Sequence, residues 1–370
     1  MVVPSSIVQY VLLNKDDPVL AFYCQRNDFE EPEFFEDQWL TSLRPIGYRG
    51  LAAFLEHRKA PKHRKHIQQL LEQYGCDDLE GFLRVTHALS LNDTFWVREA
   101  DSPLTWREVS LYTNPFSEII SEAAFDGIIS ETDLSSTSPE FGTDGYYAKC
   151  WKREDSGIFL YKSGSVHYEI EPLSEYLAAQ LSGQLCPEAV PYDMDYYREK
   201  LVSKCQLFTN ETVGLAKASA VFRGEKHTIP ELLAYFESIG SGDAFRRMCV
   251  LDAIILNTDR HYGNFGVLFD TSTLEIQRLA PVFDHNRSLL PELDNDQLAD
   301  PAWYLRRCKP KLGQNFIRNA KGLLTDDIRR DLMELKDFTF QQHPCILAEQ
   351  ERLDALSRIV QRQIHLILMD

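Results

Sequence analysis

The stretch NTDRHYGNFGVLF, Asn257–Phe269, decides how this chain is read, because it follows directly on a run that is apolar nearly all round. In that run Phe245, Met248, Cys249, Val250, Leu251, Ala253, Ile254, Ile255 and Leu256 leave little polar face, which predicts a helix buried in a core. Polar, turn-prone residues therefore emerge at the end of a core element and return at once to a strand, Gly266–Phe269. Rigid scaffolds present functional side chains at such places. The next strand-like run, RLAPVFDHN, places a second carboxylate at its end, Asp284, twenty residues beyond Asn264. Two strands thus bracket a candidate site.

The chemistry that suits these residues is phosphoryl transfer, which needs a carboxylate to orient or deprotonate a hydroxyl and oxygen ligands for a Mg²⁺ ion bridging nucleotide phosphates. Asp259 and Asn264 have the D-x-x-x-x-N spacing of a kinase catalytic loop, in which the Asp faces the acceptor and the Asn binds metal. Asp284 supplies the second metal ligand. A lone DxxxxN is common by chance; its place after a buried helix, between two strands and before a strand-end Asp gives it weight.

Upstream, Lys162 ends the strand-like run GIFLYK and Glu175 sits on the helix that follows, where Pro172 occupies the first turn and Leu173, Leu177 and Leu181 repeat along one side. A strand lysine on the α/β-phosphates, held by a helix carboxylate, is the ion pair with which a kinase fixes its nucleotide. The turn Gly142-Thr143-Asp144-Gly145 has two readings, a phosphate cover made of backbone N–H groups or an ordinary hairpin turn. Lys149 likewise reads as a second phosphate contact or as a strand-surface cation. The order of Gly turn, Lys, Glu, DxxxxN and Asp in one chain carries the joint reading.

Further out, 370 residues suggest two or three domains, and 44% hydrophobic content allows burial of a sizeable core. Residues 1–125 read as a mixed, helix-rich accessory region. It has strand-like runs at Ile7–Leu13 and Val19–Cys24 and an acidic, aromatic stretch between Asp28 and Asp37. The basic run His57–His66 leads into a helix that Pro61 starts and Gly75 ends, and a second helix is capped by Asp78. The basic run reads as a solvated helix end or as a docking site for an acidic or phosphorylated partner. Residues 126–210 read as a β-rich nucleotide lobe and 211–370 as a helical catalytic lobe closed by an amphipathic helix through Leu353, Leu356, Val360, Ile364 and Ile367.

A net charge of −17 disfavours nucleic acid and anionic membranes as partners, since phosphate contacts need basic surface. The eight cysteines show no CxxC or CxxH pattern, no apolar run approaches a membrane span, and the first residues lack a secretory pattern, so a cytoplasmic protein with reduced thiols is expected.

The run LNTDRHYGNFGVLF with APVFDHNRSLLP resembles the HipA-like serine/threonine kinase family, whose members carry N-x-D-R-H-x-x-N-x-G and then a strand ending in Asp. The strand IFLYK and the helix SEYLAAQL resemble that family's lysine strand and the helix after it. The resemblance covers roughly residues 135–300, and no counterpart is recognised before residue 125. It implies an α+β, two-lobed protein-kinase-like fold with ATP and Mg²⁺ as cofactors. It also implies Asp259 as catalytic Asp, Asn264 and Asp284 as metal ligands, and Lys162 with Glu175 at the nucleotide. Backbone atoms around Lys204–Phe208, Cys205 and Leu207 among them, are then placed at adenine by their order in the chain. His261 is a candidate base by its near-neutral pKa, but the resemblance suggests a structural role in the loop, Asp259 already filling the base position. His285 reads as a packing residue beside a metal ligand rather than as a ligand.

The expected substrate is a protein Ser/Thr hydroxyl, and Ser135, Ser136, Thr137 and Ser138 are candidate sites of self-phosphorylation. A regulatory or antitoxin-like partner is a further expectation. Two other readings stay open: a phosphatidylinositol-type lipid kinase, whose catalytic loop D-R-H-x-x-N also resembles, and a nucleotide-binding toxin or regulatory partner protein with weak catalysis.

Overall fold

The computed structural model describes residues 7–59, 67, 69, 71–72, 78–127, 138–143, 147–165 and 169–369. The first sheet is antiparallel, with β1 (Val8–Asn14), β2 (Asp17–Arg26), β3 (Pro32–Trp39) and β4 (Phe95–Glu99) in the order β3-β2-β1-β4. Asn14 pairs with Asp17 around a two-residue turn in which Lys15 has φ 53°, the left-handed backbone such hairpins require. Residues 7–125 are mixed, as expected, but a sheet organises them, and its third strand is one that the sequence pattern did not signal. The acidic stretch is the reason: β3 pairs Phe34 with Cys24 and Phe35 with Tyr23, but as an edge strand it exposes most of its residues, so no clean alternation shows. Charges on such an edge also discourage pairing with another chain.

Between β3 and β4 the chain forms α1 (Leu51–Glu56) and α2 (Leu79–Thr86), and after β4 comes α3 (Glu118–Asp126). Asp78 caps α2 as expected, its Oδ1 accepting from Gly81 N at 2.6 Å. Of the expected helix between Pro61 and Gly75, only residues 67, 69, 71 and 72 are described, with Ile67 and Leu71 buried; Lys62, Arg64 and Lys65 lie outside the described residues. Arg58 is not a solvated cation: it is buried and forks onto Asp93 at 2.8 and 3.0 Å.

The second sheet has β5 (Lys149–Glu154), β6 (Gly157–Ser163), β7 (Tyr192–Tyr197) and β8 (Lys200–Gln206) in the order β5-β6-β8-β7. The third has β9 (Val213–Lys217), β10 (Gly266–Asp270) and β11 (Ile276–Leu279) in the order β11-β10-β9. The main later helices are α4 (Glu171–Leu185), α5 (Ile229–Ser238), α6 (Gly242–Ile254), α7 (Phe316–Lys321), α8 (Asp326–Glu334) and α9 (Gln350–Leu368). The fold is thus mixed, with antiparallel sheets and helices, in agreement with the α+β expectation.

The chain divides into two compact units, one of Met1–Leu160, Thr209–Ala216 and Phe269–Ile276, the other of Tyr161–Phe208, Lys217–Leu268 and Gln277–Asp370. The expected boundary near 125 falls inside the first unit, and that near 210 falls in a segment that returns to it. The first unit's core gathers Tyr10, Leu12, Leu20, Phe22, Phe82 and Phe95. In the second, α6 is the central helix, packed against α4, α5, α7 and α9, with Phe245, Val250, Leu251 and Ala253 fully buried. Leu353, Leu356, Val360, Ile364 and Ile367 of α9 face that core, as their spacing predicts. Among the described residues no helix is long and apolar enough to cross a membrane.

Candidate active site

Lys162, near the end of β6, is buried, and its Nζ donates to Glu175 Oε1 at 2.7 Å and to Asp284 Oδ1 at 2.8 Å. Glu175 lies in the second turn of α4, a helix started by Pro172 at a position where a missing N–H costs nothing. Its Oε1 also accepts from His285 N at 3.3 Å, and its Oε2 accepts from the Ser203 hydroxyl. Ser203 and Cys205 are two apart on β8 and so share a face, with Tyr192 of β7 opposite Cys205. Burial alone draws the Lys162 pKa down, but Asp284 and Glu175 overcome it and hold it above the ordinary value, so the ammonium stays charged. Burial pushes the Cys205 thiol up to about 12, leaving a neutral neighbour.

The loop after α6 is built on one buried ion pair. Asp252, a buried acid on that largely apolar helix, receives Arg260 Nε at 2.9 Å and Nη2 at 3.0 Å, and its Oδ1 also accepts from Asn257 Nδ2 at 3.0 Å. Arg260 is 1% exposed, and its Nη1 donates at 2.6 Å both to Asn264 O and to Phe283 O. One guanidinium therefore ties together the backbones that carry Asn264 and Asp284. Asp284 itself has φ 60°, a left-handed conformation that Asp tolerates better than most residues. The Phe283–Asp284 peptide is gripped at both ends, since Asp284 N donates to Tyr192 Oη at 2.9 Å. The expected strand leading to Asp284 ends earlier, at Leu279; Pro281, which lacks an N–H, follows, and only an isolated bridge from Val282 to Ala189 continues the pairing.

Asp259 is fixed through its main chain: its N donates to Asn257 Oδ1 and its O accepts from Asn264 Nδ2, both at 3.0 Å. Its half-buried carboxylate accepts a hydrogen bond at Oδ1 from Lys311 Nζ. His261 closes the turn, with Nδ1 2.9 Å from Gly263 N and Nε2 4.0 Å from Asp259 Oδ2. A Cβ on Gly263 would lie 2.8 Å from the His261 ring, so the ring needs a glycine there. Burial, aided by the Lys311 charge, lowers the His261 pKa against the pull of Asp259. Buried His285 is also held neutral, by burial first and then by Arg260, whose Nη2 lies 3.4 Å from its Nδ1.

The structure thus brings Lys162, Glu175 and Asp284 together, and Asp259 with Asn264. Cys205 lies on the buried face of β8, and Leu207 is half-buried just past its end. Gly142 and Lys149 belong to the other unit. Gly142 ends a short 3₁₀ turn, Pro139–Gly142, where an added Cβ would come within 3.0 Å of Arg58 O and 3.2 Å of Leu89 O. Close backbone approach thus accounts for a glycine there. Lys149 opens β5 and is buried, so it is not a strand-surface cation. Gly145 and the hydroxyls of Ser135, Ser136 and Thr137 lie outside the described residues, and Ser138 is buried.

Sequence reasoning missed Ser203, Tyr192 and Lys311 as partners of the site carboxylates and backbone. Asp252 does carry a sequence signal: an acid flanked by the apolar residues Val250, Leu251, Ala253 and Ile254 needs a buried cation.

No family model matches the chain. The curated serine/threonine-protein kinase CtkA of Helicobacter pylori is 28% identical over 140 residues, which cover 33% of this chain and 42% of that protein. The match therefore spans less than half of that relative's length. The crystal structure of the Helicobacter pylori proinflammatory kinase CtkA aligns with 60% of this chain and 92% of its own at 17% identity and a TM-score of 0.46. A chain from the Shewanella oneidensis toxin–antitoxin complex of HipA, HipB and operator DNA aligns over 96% of both chains at 11% identity and a TM-score of 0.51. The chain thus shares a stretch of sequence with a serine/threonine-protein kinase and, over nearly its whole length, the fold of a chain of the HipA complex.

Proposed function

We propose that the protein is a kinase that transfers the γ-phosphoryl of ATP to a serine or threonine hydroxyl of a protein, itself included. One observation carries the reading: an ammonium buried on β6 is shared by a helix carboxylate, Glu175, and by a second carboxylate, Asp284, that is 25% exposed. In phosphoryl-transfer sites such a lysine meets the nucleotide phosphates while the exposed carboxylate meets metal. Asn264 and Asp284 offer hard oxygen donors, and Mg²⁺ takes few protein oxygens beside phosphate and water. When bound, Mg²⁺ neutralises charge developing on the phosphates.

The chain's own residues do the rest. Lys162 turns from Asp284 toward the phosphates while Glu175, held by Ser203 and His285 N, keeps it in place. Asp259, oriented by Asn257 and Asn264, accepts the proton of the attacking hydroxyl once Lys311 releases it. A regulatory partner of antitoxin type goes with this reading, supported by a fold shared with HipA, and so does a cytoplasmic setting, where ATP and reduced thiols are found.

Intact-mass measurement after incubation with ATP and Mg²⁺ tests the reading. A phosphoryl gain is expected in the wild type and none in D259N, with ATP binding retained in the variant by calorimetry. No gain in the wild type, or an equal gain in D259N, sinks it.

A further inference from the structure

We infer that Pro301–Leu312 is a docking strip for acidic residues flanking the acceptor hydroxyl, so that this chain selects acidic protein segments. The inference rests on the kinase reading and adds to it a class of substrate. In a chain of net charge −17, the stretch from Pro301 to Thr325 contains six Lys or Arg residues and no Asp or Glu.

The strip is fastened beside the candidate catalytic loop at two points. At one end Tyr304 Oη donates to Glu292 Oε1, which Arg287 Nη2 meets at 3.2 Å; the Arg287 carbonyl in turn accepts from Thr258 Oγ1 at 3.2 Å. At the other end Lys311 Nζ donates to Asp259 Oδ1. Between the fastenings, the side chains of Arg306, Arg307 and Lys309 are exposed. The Arg307 guanidinium lies 4.1 Å over the ring of Trp303, itself 59% exposed, which presents the charge on a flat apolar base. Among the described residues neither Arg306 nor Lys309 has an ion-pair partner.

Lys311 occupies the carboxylate that an acceptor hydroxyl must reach. A substrate displaces it at least cost when it brings another anion for the ammonium to meet. An acidic side chain next to the acceptor serres that purpose at Lys311, and further acids meet Arg306, Arg307 and Lys309. Such a strip also counters, within a Debye length, the repulsion that the acidic remainder of the chain exerts on an acidic partner.

The test compares a serine peptide flanked by Asp and Glu with the same peptide flanked by Ala, at low salt. Wild-type kcat/KM should favour the acidic peptide by about tenfold, as expected for three exposed charge pairs. In R306A/R307A/K309A the ratio should fall toward one, and in R306E/R307E/K309E the preference should pass to a Lys-flanked peptide, a gain that misfolding cannot give. Equal rates on both peptides in the wild type, or an unchanged ratio in the neutral variant, overturn the inference and leave the kinase reading standing. So does a K311A variant that raises KM for ATP while keeping the wild-type peptide ratio. Absence of transfer to every peptide and to the chain itself removes the kinase reading and this inference with it.

Discussion

Replacing Lys162 by methionine isolates the energetics of the buried triad. At 2.7 Å the Lys162–Glu175 attraction is about 6 kcal/mol at an effective dielectric constant of about 20. Losing the ammonium leaves Glu175, only 1% exposed, as an uncompensated charge, and such losses cost about 3–5 kcal/mol. Asp284, being partly exposed, can rehydrate. Adding E175Q removes the stranded charge while its amide still accepts from His285 N and donates to Ser203 Oγ, so K162M/E175Q should cost only about 1–2 kcal/mol. Tryptophan fluorescence is a poor probe, because Trp39, Trp96, Trp106 and Trp151 lie in the other unit and Trp303, which lies in this one, is 59% exposed. Native-state hydrogen exchange on peptides from β6, α4 and β8 reads the right one, and K162M should lower protection there by about two to four decades. Phosphoryl transfer should be lost in both variants. Equal protection in K162M and K162M/E175Q, or a loss below about 1 kcal/mol in K162M, would refute a charged Glu175 paired with Lys162.

Other expectations follow from the same geometry. G142A should destabilise the first unit by about 1–3 kcal/mol, since its Cβ meets two backbone carbonyls at 3.0 and 3.2 Å. Urea titration followed by tryptophan fluorescence reads that loss, and an unchanged midpoint with weakened ATP binding would instead favour a phosphate-covering role. Acid should also weaken both units. His87 and His285 have pKa values lowered in the fold by burial, so below about pH 6.5 the unfolded chain takes up protons that the folded chain refuses. Stability is then full above about pH 7 and falls by up to about 1.4 kcal/mol per pH unit for each histidine as pH drops below that range. The Trp96 ring lies 6.0 Å from His87, so its fluorescence follows the first unit, and H87Q should flatten the acid slope there. A midpoint that stays constant from about pH 7.5 to about pH 5.5 argues against a half-buried, neutral His87.

What could be read from sequence was what is local. The apolar face of α6 and the five-residue step from Asp259 to Asn264 are set within one helix and one loop, and the periodicity rules see both. The order of Lys162 and Glu175 along β6 and α4 was legible for the same reason. The partners that complete the site are single polar residues far off in the chain: Ser203 is 28 residues from Glu175, Tyr192 is 92 from Asp284, and Lys311 is 52 from Asp259. Nothing in the neighbourhood of a lone serine on β8 or a lone lysine after Pro310 marks it as a partner. That β3 was not legible has another cause. In β3 the carboxylates between Glu33 and Asp37 lie on an exposed edge, where side-chain charge masks the two-residue period.

The distribution of charge at the site has a consequence for how it works. Asp252 and Arg260 form a neutral, buried pair whose spare guanidinium hydrogens hold the carbonyls of Asn264 and Phe283, so the positions of Asn264 and Asp284 are fixed before any ligand arrives. The two carboxylates to which the proposed reaction assigns chemistry, Asp259 and Asp284, are each held by a lysine from another element, Lys311 and Lys162. In the proposed reaction both ion pairs must open, one toward nucleotide phosphate and one toward the acceptor. An anion offered to each lysine is therefore the condition for freeing each carboxylate. A strongly acidic chain can in this way keep two reactive carboxylates neutralised in the resting state and release them only when both substrates are present.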